Sequence, residues 1–272
     1  MITRILTGIV GIGAMTFIIQ SGGWYFAAFV LLLSLIGWHE FSRACANKGI
    51  RTTYFTGLLA LLLLWGCSWL GSVEELMAVA TVFVLFALLL AVLLNGRIPF
   101  MGACASVAGV LYIGLPLGHM VMLRFWEGPN VMSPLGSFEI GCALIWIMFI
   151  GTWASDTFAY FTGSAIGSHK LCPSISPNKT VEGFLGSVVG TTASVAALGS
   201  NFFPFSMYEM AALGFAISIF ATLGDLVESV FKRYTGIKDS GSLIPGHGGV
   251  LDRFDSVLYT APLVYYFAYL VL

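Results

Sequence analysis

Nine long apolar runs constrain the fold of this chain more than any other feature of its sequence. They cover residues 5–20, 24–38, 54–70, 76–94, 101–123, 140–161, 181–198, 208–230 and 254–272. A helix needs about 20 apolar residues to cross a hydrocarbon core about 30 Å thick, and most of these runs approach that length. The runs are too continuous for the alternating pattern of a membrane barrel. The sequence therefore predicts an all-α, polytopic membrane bundle of about nine transmembrane helices.

The composition fits a membrane protein and argues against a nucleic-acid-binding one. Of the 272 residues, 58% are hydrophobic and 9% are charged, whereas an average soluble domain carries about 25% charged residues. The 12 basic residues are balanced by 13 acidic ones, so no basic surface is expected to meet a nucleic acid. The 5 cysteines are scattered without CxxC spacing, which predicts neither a zinc site nor a disulfide framework.

The basic residues predict which loops face the cytoplasm, because Lys and Arg near helix ends are retained on that side. With a cytoplasmic N-terminus, only Arg124 of the 12 Lys and Arg residues falls outside. The same bias favours an odd number of helices. The first run could be a signal peptide, but it lacks a small-x-small cleavage site, so we expect an uncleaved anchor.

The charges divide the chain into two regions. They are sparse in residues 1–150, which we predict to be transmembrane scaffold and lipid wall, and they are concentrated in residues 151–272, the predicted catalytic region. No linker rich in Pro or Ser separates the two regions. We therefore expect them to pack as one membrane domain.

Acids and bases alternate around the end of the eighth run. Asp225 lies in that run, while Asp252 and Asp255 stand three residues apart at the start of the ninth, on one helix face. Between them lie Lys232, Arg233 and Lys238, and then the glycines 241, 246, 248 and 249, where backbone amides can approach a ligand. Carboxylates bind a hard divalent cation, and Lys and Arg neutralise phosphate oxygens. This combination predicts a cytoplasm-facing transferase that acts on phosphates.

A second polar segment lies upstream. Asp156 stands inside an apolar run, where a carboxylate costs on the order of 3 kcal/mol at the helix centre, so a partner or a water-filled cavity is expected. Residues 174–180 resist a regular helix and predict a polar loop. Glu182 is expected in the first turn of the seventh helix, where the helix dipole favours a negative charge.

Residues 229–255 resemble the signature of the phosphatidate cytidylyltransferases, also called CDP-diacylglycerol synthases. The matching residues are Ser229, Lys232, Arg233, Lys238, Asp239, Gly241, Pro245, His247, Gly248, Gly249, Asp252, Arg253 and Asp255. Upstream, the chain is similar to the same family at Asp156, Ala159, Tyr160, Gly163, Gly167, Lys170, Ser176, Pro177, Lys179, Thr180, Glu182 and Gly183.

The resemblance implies that CTP and phosphatidate react to give CDP-diacylglycerol and diphosphate, with Mg²⁺ and a second cation such as K⁺ beside it. It assigns catalytic roles to Asp225, Asp252, Lys232, Lys238 and His247, and metal binding to Asp225, Asp252 and Asp255. Substrate binding is assigned to Asp156, Lys179, Ser229, Arg233, Gly248, Gly249 and Arg253. For His247, ordering the loop or donating to a phosphate is as well supported as a chemical role. We also expect a homodimer in a bacterial-type inner membrane.

Two other functions fit part of the pattern. A cation- or proton-coupled transporter could hold Asp156, Asp225 and Glu228 inside a helical bundle, but it would not need the basic, glycine-rich loop. A CTP-dependent lipid-alcohol kinase of the polyprenol type would share the membrane setting and the nucleotide. We therefore keep both as alternatives.

Overall fold

The computed structural model describes residues 2–94, 97–133, 136–202, 205–243 and 248–272. Its helices are α1 (Ile2–Ser21), α2 (Gly23–Asn47), α3 (Tyr54–Leu70), α4 (Val73–Leu93), α5 (Phe100–Arg124), α6 (Ile140–Ile166), α7 (Val181–Phe202), α8 (Met207–Thr235), α9 (Leu251–Phe254) and α10 (Val257–Val271). Two short antiparallel hairpins pair β1 (Val131–Ser133) with β2 (Gly136–Phe138) and β3 (Lys170–Cys172) with β4 (Ser176–Thr180).

The predicted all-α membrane fold is confirmed. Among the described residues, six helices are long and apolar enough to cross a bilayer, namely α2, α4, α5, α6, α8 and the Val181–Gly199 part of α7. Three shorter apolar helices correspond to the remaining predicted runs: the Gly11–Ser21 part of α1, α3 and α10. The chain is therefore a multi-pass membrane protein. The two hairpins were not predicted.

The chain divides into two compact units. Unit 1 contains residues 1–125 and 231–254, and unit 2 contains residues 126–230 and 255–272. The predicted division near residue 150 separates a scaffold region from a catalytic region. That functional division stays a prediction.

Small residues and aromatic rings build the core of unit 1. Gly57 on α3 and Gly109 on α5 both face the ring of Trp38 on α2, with no room for a Cβ atom. The indole N–H of Trp38 donates to the carbonyl of Tyr54 at 3.0 Å. Glycines that admit a large side chain of a neighbouring helix allow close packing, and small residues of this kind are typical of helix contacts in a membrane. Helix α2 is therefore held firmly against α3 and α5.

Unit 2 is organised around the pair α6 and α7. Gly186 faces Thr162 and Gly190 faces Phe158, again without space for a Cβ atom. The hydroxyls of Ser155 and Ser187 lie 2.8 Å apart across the same contact. Glycine spacing on α7 thus serves close helix packing.

Several helix boundaries differ from the sequence prediction, and two of them bear on the signature segment. Helix α2 continues to Asn47, nine residues beyond the run that ends at Trp38, because a helix does not have to stop where its apolar run stops. Asp252 and Asp255 do not begin one continuous helix, since Asp252 lies in α9, Asp255 lies in a turn, and α10 starts at Val257. Oδ1 of Asp255 accepts the backbone N–H of Ser256 at 2.7 Å, and such local bonds compete with the helical ladder.

Candidate active site

Asp252 is the centre of a hydrogen-bonded cluster in unit 1. Its Oδ1 accepts from Nζ of Lys232 at 2.8 Å, and its side chain is only 5% exposed. Its Oδ2 accepts from the backbone N–H of Ser240 at 2.7 Å, the Ser240 hydroxyl at 2.9 Å and the N–H of Gly249 at 2.8 Å. Both oxygens of this carboxylate are therefore engaged.

These partners set the charge state of Asp252. Burial by itself would raise the pKa of the carboxyl, but the hydrogen bond from Lys232 and the N–H of Gly249 outweigh it and lower the pKa to about 2. Asp252 is therefore an anion at neutral pH, and Lys232 is the cation that compensates it.

Glu40 joins the same cluster from α2. It is 4% exposed, and its Oε1 accepts the N–H of Val250 at 2.9 Å. Its Oε2 accepts the N–H of Leu251 at 2.9 Å and lies 3.0 Å from the hydroxyl oxygen of Ser240, whose single hydrogen is shared between Glu40 and Asp252. An acid from the predicted scaffold region thus reaches the signature segment.

The signature glycines of unit 1 make room for these two carboxylates. A Cβ atom at Gly241 or Gly249 would collide with Oε1 of Glu40. Gly248 has a φ of +85°, and a Cβ there would lie 2.6 Å from Oδ2 of Asp252. Sequence reasoning directed the glycine amides toward a ligand, but the N–H of Gly249 is bonded to Asp252. The glycines therefore admit carboxylates of the protein itself.

The other predicted bases of unit 1 lie at its surface. Arg233, Lys238 and Arg253 are exposed, and both arginines have further interactions in the structure. His247, together with Pro245 and Gly246, lies outside the described residues.

Asp225 and Lys179 form the corresponding pair in unit 2. Nζ of Lys179 on β4 lies 2.7 Å from Oδ2 of Asp225 on α8, with the two side chains 24% and 32% exposed. The hydroxyl of Ser229, one turn further along α8, donates to Oδ1 of Asp225 at 3.3 Å. This pair is partly accessible to solvent, so we expect it to contribute little to stability.

The hairpin of β3 and β4 positions Lys179. Lys170 pairs with Thr180 in this hairpin, and the backbone N–H groups of Ser168 and His169 donate to the carboxylate of Glu182 at 3.1 to 3.2 Å. Glu182 lies in the first turn of α7, as predicted. The predicted polar loop is thus a hairpin tied to the start of α7.

The remaining predicted acids also lie in unit 2. A Cβ atom on Gly224 would be 2.5 Å from the backbone oxygen of Asp255. The backbone of Asp255 therefore packs against α8 at Gly224, the residue before Asp225. Asp156 lies in α6 and is exposed. Both have further interactions in the structure.

The donor set fits Mg²⁺ at single carboxylates. Within the described residues, no three His, Cys, Asp or Glu side chains are grouped so that they could hold a metal. Mg²⁺ in nucleotide sites is commonly bound by one or two carboxylates, with waters and substrate phosphates completing its shell. Oδ1 of Asp225 accepts only the long bond from Ser229 among the described contacts, so it retains lone pairs for a cation. Asp252 offers Oδ1, at present facing the ammonium of Lys232.

Sequence reasoning missed Glu40 and Ser240. The predicted second run ended at Trp38, which placed Glu40 outside the membrane helix as an ordinary charge at its end. The buried residues Phe41, Ala44 and Cys45 continue the helical spacing past Glu40. That pattern was the available signal.

Known proteins resemble this chain over nearly its whole length. A family described as the cytidylyltransferase family matches residues 2–271. The chain is 34% identical to a phosphatidate cytidylyltransferase of Synechocystis sp., covering 99% of this chain and 97% of that relative. It is 34% identical to the protein of that name from Staphylococcus haemolyticus, covering 96% of both. Identity to that of Bacillus subtilis is 32%, covering 97% of this chain and 96% of the relative.

Proposed function

The chain belongs to the cytidylyltransferase family, and we propose that it transfers the cytidylyl group of CTP to phosphatidate. The products are CDP-diacylglycerol and diphosphate. The relatives named for this activity are 32–34% identical over nearly the full length of both chains. This supports the lipid substrate as well as the nucleotide.

The two lysine–carboxylate pairs carry the proposal in the structure. Lys179 lies 2.7 Å from Asp225, and Lys232 lies 2.8 Å from Asp252. An ammonium has three N–H donors, so Lys179, whose contact among the described residues is with Asp225, still has donors for phosphate oxygens. Acids that position cations, rather than a nucleophile of the protein, are what phosphoryl-type transfer requires.

The reaction needs no covalent intermediate on the protein. An oxygen of the phosphatidate phosphate attacks the α-phosphorus of CTP, and a new P–O bond forms. The bond from that phosphorus to the oxygen bridging it to the β-phosphate breaks, and diphosphate leaves with the electron pair. The attacking phosphate is already ionised near pH 7, so no general base is required.

Side chains of this chain stabilise the charge that develops. We assign Lys232 and Lys179 to phosphate oxygens, with the exposed Arg233, Lys238 and Arg253 neutralising diphosphate as it departs. Mg²⁺, which we expect at Asp225, Asp252 or Asp255, supplies further neutralisation of the phosphates when bound. A second cation such as K⁺ is part of the same proposal.

The setting of the reaction follows from its substrates. CTP is soluble and phosphatidate lies in the bilayer, so the reactive residues belong at the inner surface of the membrane. We propose a bacterial-type inner membrane with the site facing the cytoplasm, in agreement with the distribution of Lys and Arg. We also propose a homodimer.

Turnover by the purified protein tests the function. In detergent with Mg²⁺, labelled CTP and phosphatidate, we expect CDP-diacylglycerol and one equivalent of diphosphate. If no lipid phosphate were turned over, the proposed cytidylyl transfer would be wrong.

The same assay separates the alternatives. A lipid-alcohol kinase would release CDP and phosphorylate a polyprenol, and a transporter would leave CTP intact. The family match does not favour either alternative.

A further inference from the structure

Helix α2 holds unit 1's part of the signature segment at three points. Besides the contacts of Glu40, the ring of Phe41 stacks on Phe231 with centroids 4.5 Å apart and planes 2° from parallel. Nδ2 of Asn47 donates to the carbonyl of Thr235 at 2.9 Å, which satisfies an orphan carbonyl at the end of α8. Lys232 lies between these two contacts in sequence, so α2 fixes the turn that carries it.

Glu40 is the contact that reaches Asp252. The backbone N–H groups of Val250 and Leu251, both 3–4% exposed, donate to its two carboxylate oxygens. Buried in this way, the two N–H groups have no access to water as a substitute partner. Removing the acceptor would leave both donors unsatisfied, which is costly in a buried site.

Ser240 links the two acids. Its hydroxyl oxygen lies 3.0 Å from Oε2 of Glu40 and 2.9 Å from Oδ2 of Asp252. Its backbone N–H also donates to Asp252. Ser240 and the segment 249–252 are therefore joined to each other through these carboxylates, and Glu40 ties both to α2.

We propose that Glu40 is a positioning residue for the transfer reaction: it fixes residues 240 and 249–252 so that Asp252 and Lys232 are held in their working arrangement. Glu40 acts through the backbone of the segment, without touching substrate. The inference rests on the proposed function for its kinetic consequence, but its structural part is independent of that function. It gives a helix of the predicted scaffold a part in the chemistry.

Hydrogen exchange tests the positioning without reference to activity. In detergent-solubilised full-length protein, Glu40→Gln replaces one acceptor oxygen with an NH2 group, which cannot accept a backbone N–H. We expect peptides covering residues 248–254 to exchange at least roughly tenfold faster than in the wild type. Ser34→Ala is the matched control, because Ser34 is a buried polar residue of α2 whose hydroxyl, within the described part of the chain, donates to the carbonyl of Val30 in the same helix. In Ser34→Ala, the peptides covering residues 248–254 should exchange at the wild-type rate.

Kinetics test the consequence. We expect Glu40→Gln to lower kcat roughly tenfold to hundredfold, with a smaller change in KM for CTP. Glu40→Asp, which keeps the charge on a shorter side chain, should recover part of the loss. Unchanged exchange and unchanged kcat in Glu40→Gln would overturn the proposal. A lowered kcat with unchanged exchange would also overturn it, because Glu40 would then act directly on the reaction.

A double-variant comparison identifies the contact itself. Gly241→Ala should lower kcat in the wild-type background, because the added Cβ would collide with Oε1 of Glu40. In a Glu40→Ala background the collision is removed, and Gly241→Ala should add little further loss. If the losses in kcat of the two single variants simply added in the double variant, the contact between Gly241 and Glu40 would be contradicted. If wild-type protein turns over no lipid phosphate, the proposed function fails, and the exchange of residues 248–254 still decides the role of Glu40.

Discussion

At the scale of single residues, two carboxylates with the same predicted role have different environments. The side chain of Asp252 is 5% exposed, and its oxygens accept from Lys232, Ser240 and Gly249. Asp225 is about a third exposed and is held by Lys179 and a long bond from Ser229. Replacing each acid should therefore affect stability differently, even if both are needed for turnover.

The low pKa of Asp252 predicts a pH-dependent stability. The pKa falls from 3.8 to about 2 on folding, so the ionised carboxylate favours the folded state. Its contribution is fully present above about pH 4 and is lost as the pH falls toward 2. We expect the Tm difference between wild type and Asp252→Asn to be constant from pH 7 to 4 and to shrink below pH 4, measured by thermal unfolding in detergent.

The neighbouring acid Asp239 provides the control. It is exposed in the same segment, so Asp239→Asn should follow the wild-type Tm across this range. A Tm gap between wild type and Asp252→Asn that stays the same down to pH 2 would contradict the ion pair.

Asp225→Asn should separate activity from stability. Its salt bridge with Lys179 is partly exposed, so the loss in free energy of unfolding should be within about 1 kcal/mol. Turnover should fall at least roughly hundredfold, because the neutral amide supplies no negative charge to bind a cation or to pair with the ammonium of Lys179. Diphosphate release and a thermal melt on the same preparation measure both effects.

Glu209→Gln is the matched replacement on the same helix. Glu209 accepts the N–H of Ser206 at 2.7 Å at the opposite end of α8, so this change should leave turnover near the wild-type rate. Near-normal turnover in Asp225→Asn would remove Asp225 from the reaction.

At the scale of elements, the packing of α6 against α7 depends on glycines that admit side chains of the partner helix. Thr162 and Phe158 on α6 occupy the space that side chains at Gly186 and Gly190 would need. We expect Gly190→Val to destabilise the protein by about 1–3 kcal/mol through overpacking, seen as a lower Tm. A Cβ atom added at Gly66 on α3 would meet no neighbouring atom within 4 Å, so Gly66→Ala should not lower the Tm.

The helices were predictable from sequence, while the hairpins and the α2 contact were not. Each apolar run is long enough to identify its helix, as for residues 54–70, which match α3. The hairpin of β3 and β4 has strands of three and five residues, which is too short for a periodic pattern to identify.

Glu40 could not be placed because its contacts are distant in the sequence. It is separated from Ser240 by 200 residues, and local propensity carries no information about such a pairing. The signature segment predicted which residues matter around Asp252. It did not predict that its glycines accommodate an acid from α2.

At the scale of the whole molecule, aromatic rings gather at helix ends that the basic residues place outside. Trp24 at the start of α2 and Trp65 and Trp69 near the end of α3 lie with ring centroids 5.7–6.1 Å apart. Phe125, directly after α5, packs on Trp69 at 4.9 Å. Trp is enriched at membrane interfaces, so this cluster agrees with the proposed orientation.

Reporter fusions test that orientation. Alkaline phosphatase fused after Leu272 should be active, and green fluorescent protein fused there should not fluoresce, because an odd number of crossings places that end outside. A fusion after Asn47 should give the opposite pair. Fluorescence from the fusion after Leu272 would overturn the proposed topology.

The carboxylates inside the signature segment also bear on the thermodynamics of substrate binding. Ser240, Gly249, Val250 and Leu251 have their backbone N–H groups satisfied by Asp252 and Glu40. The entropy lost in ordering these residues is therefore lost when the protein folds, before nucleotide arrives. Calorimetric titration of the wild type should show little entropy cost from these residues, whereas a variant without Glu40 would have to order them on binding.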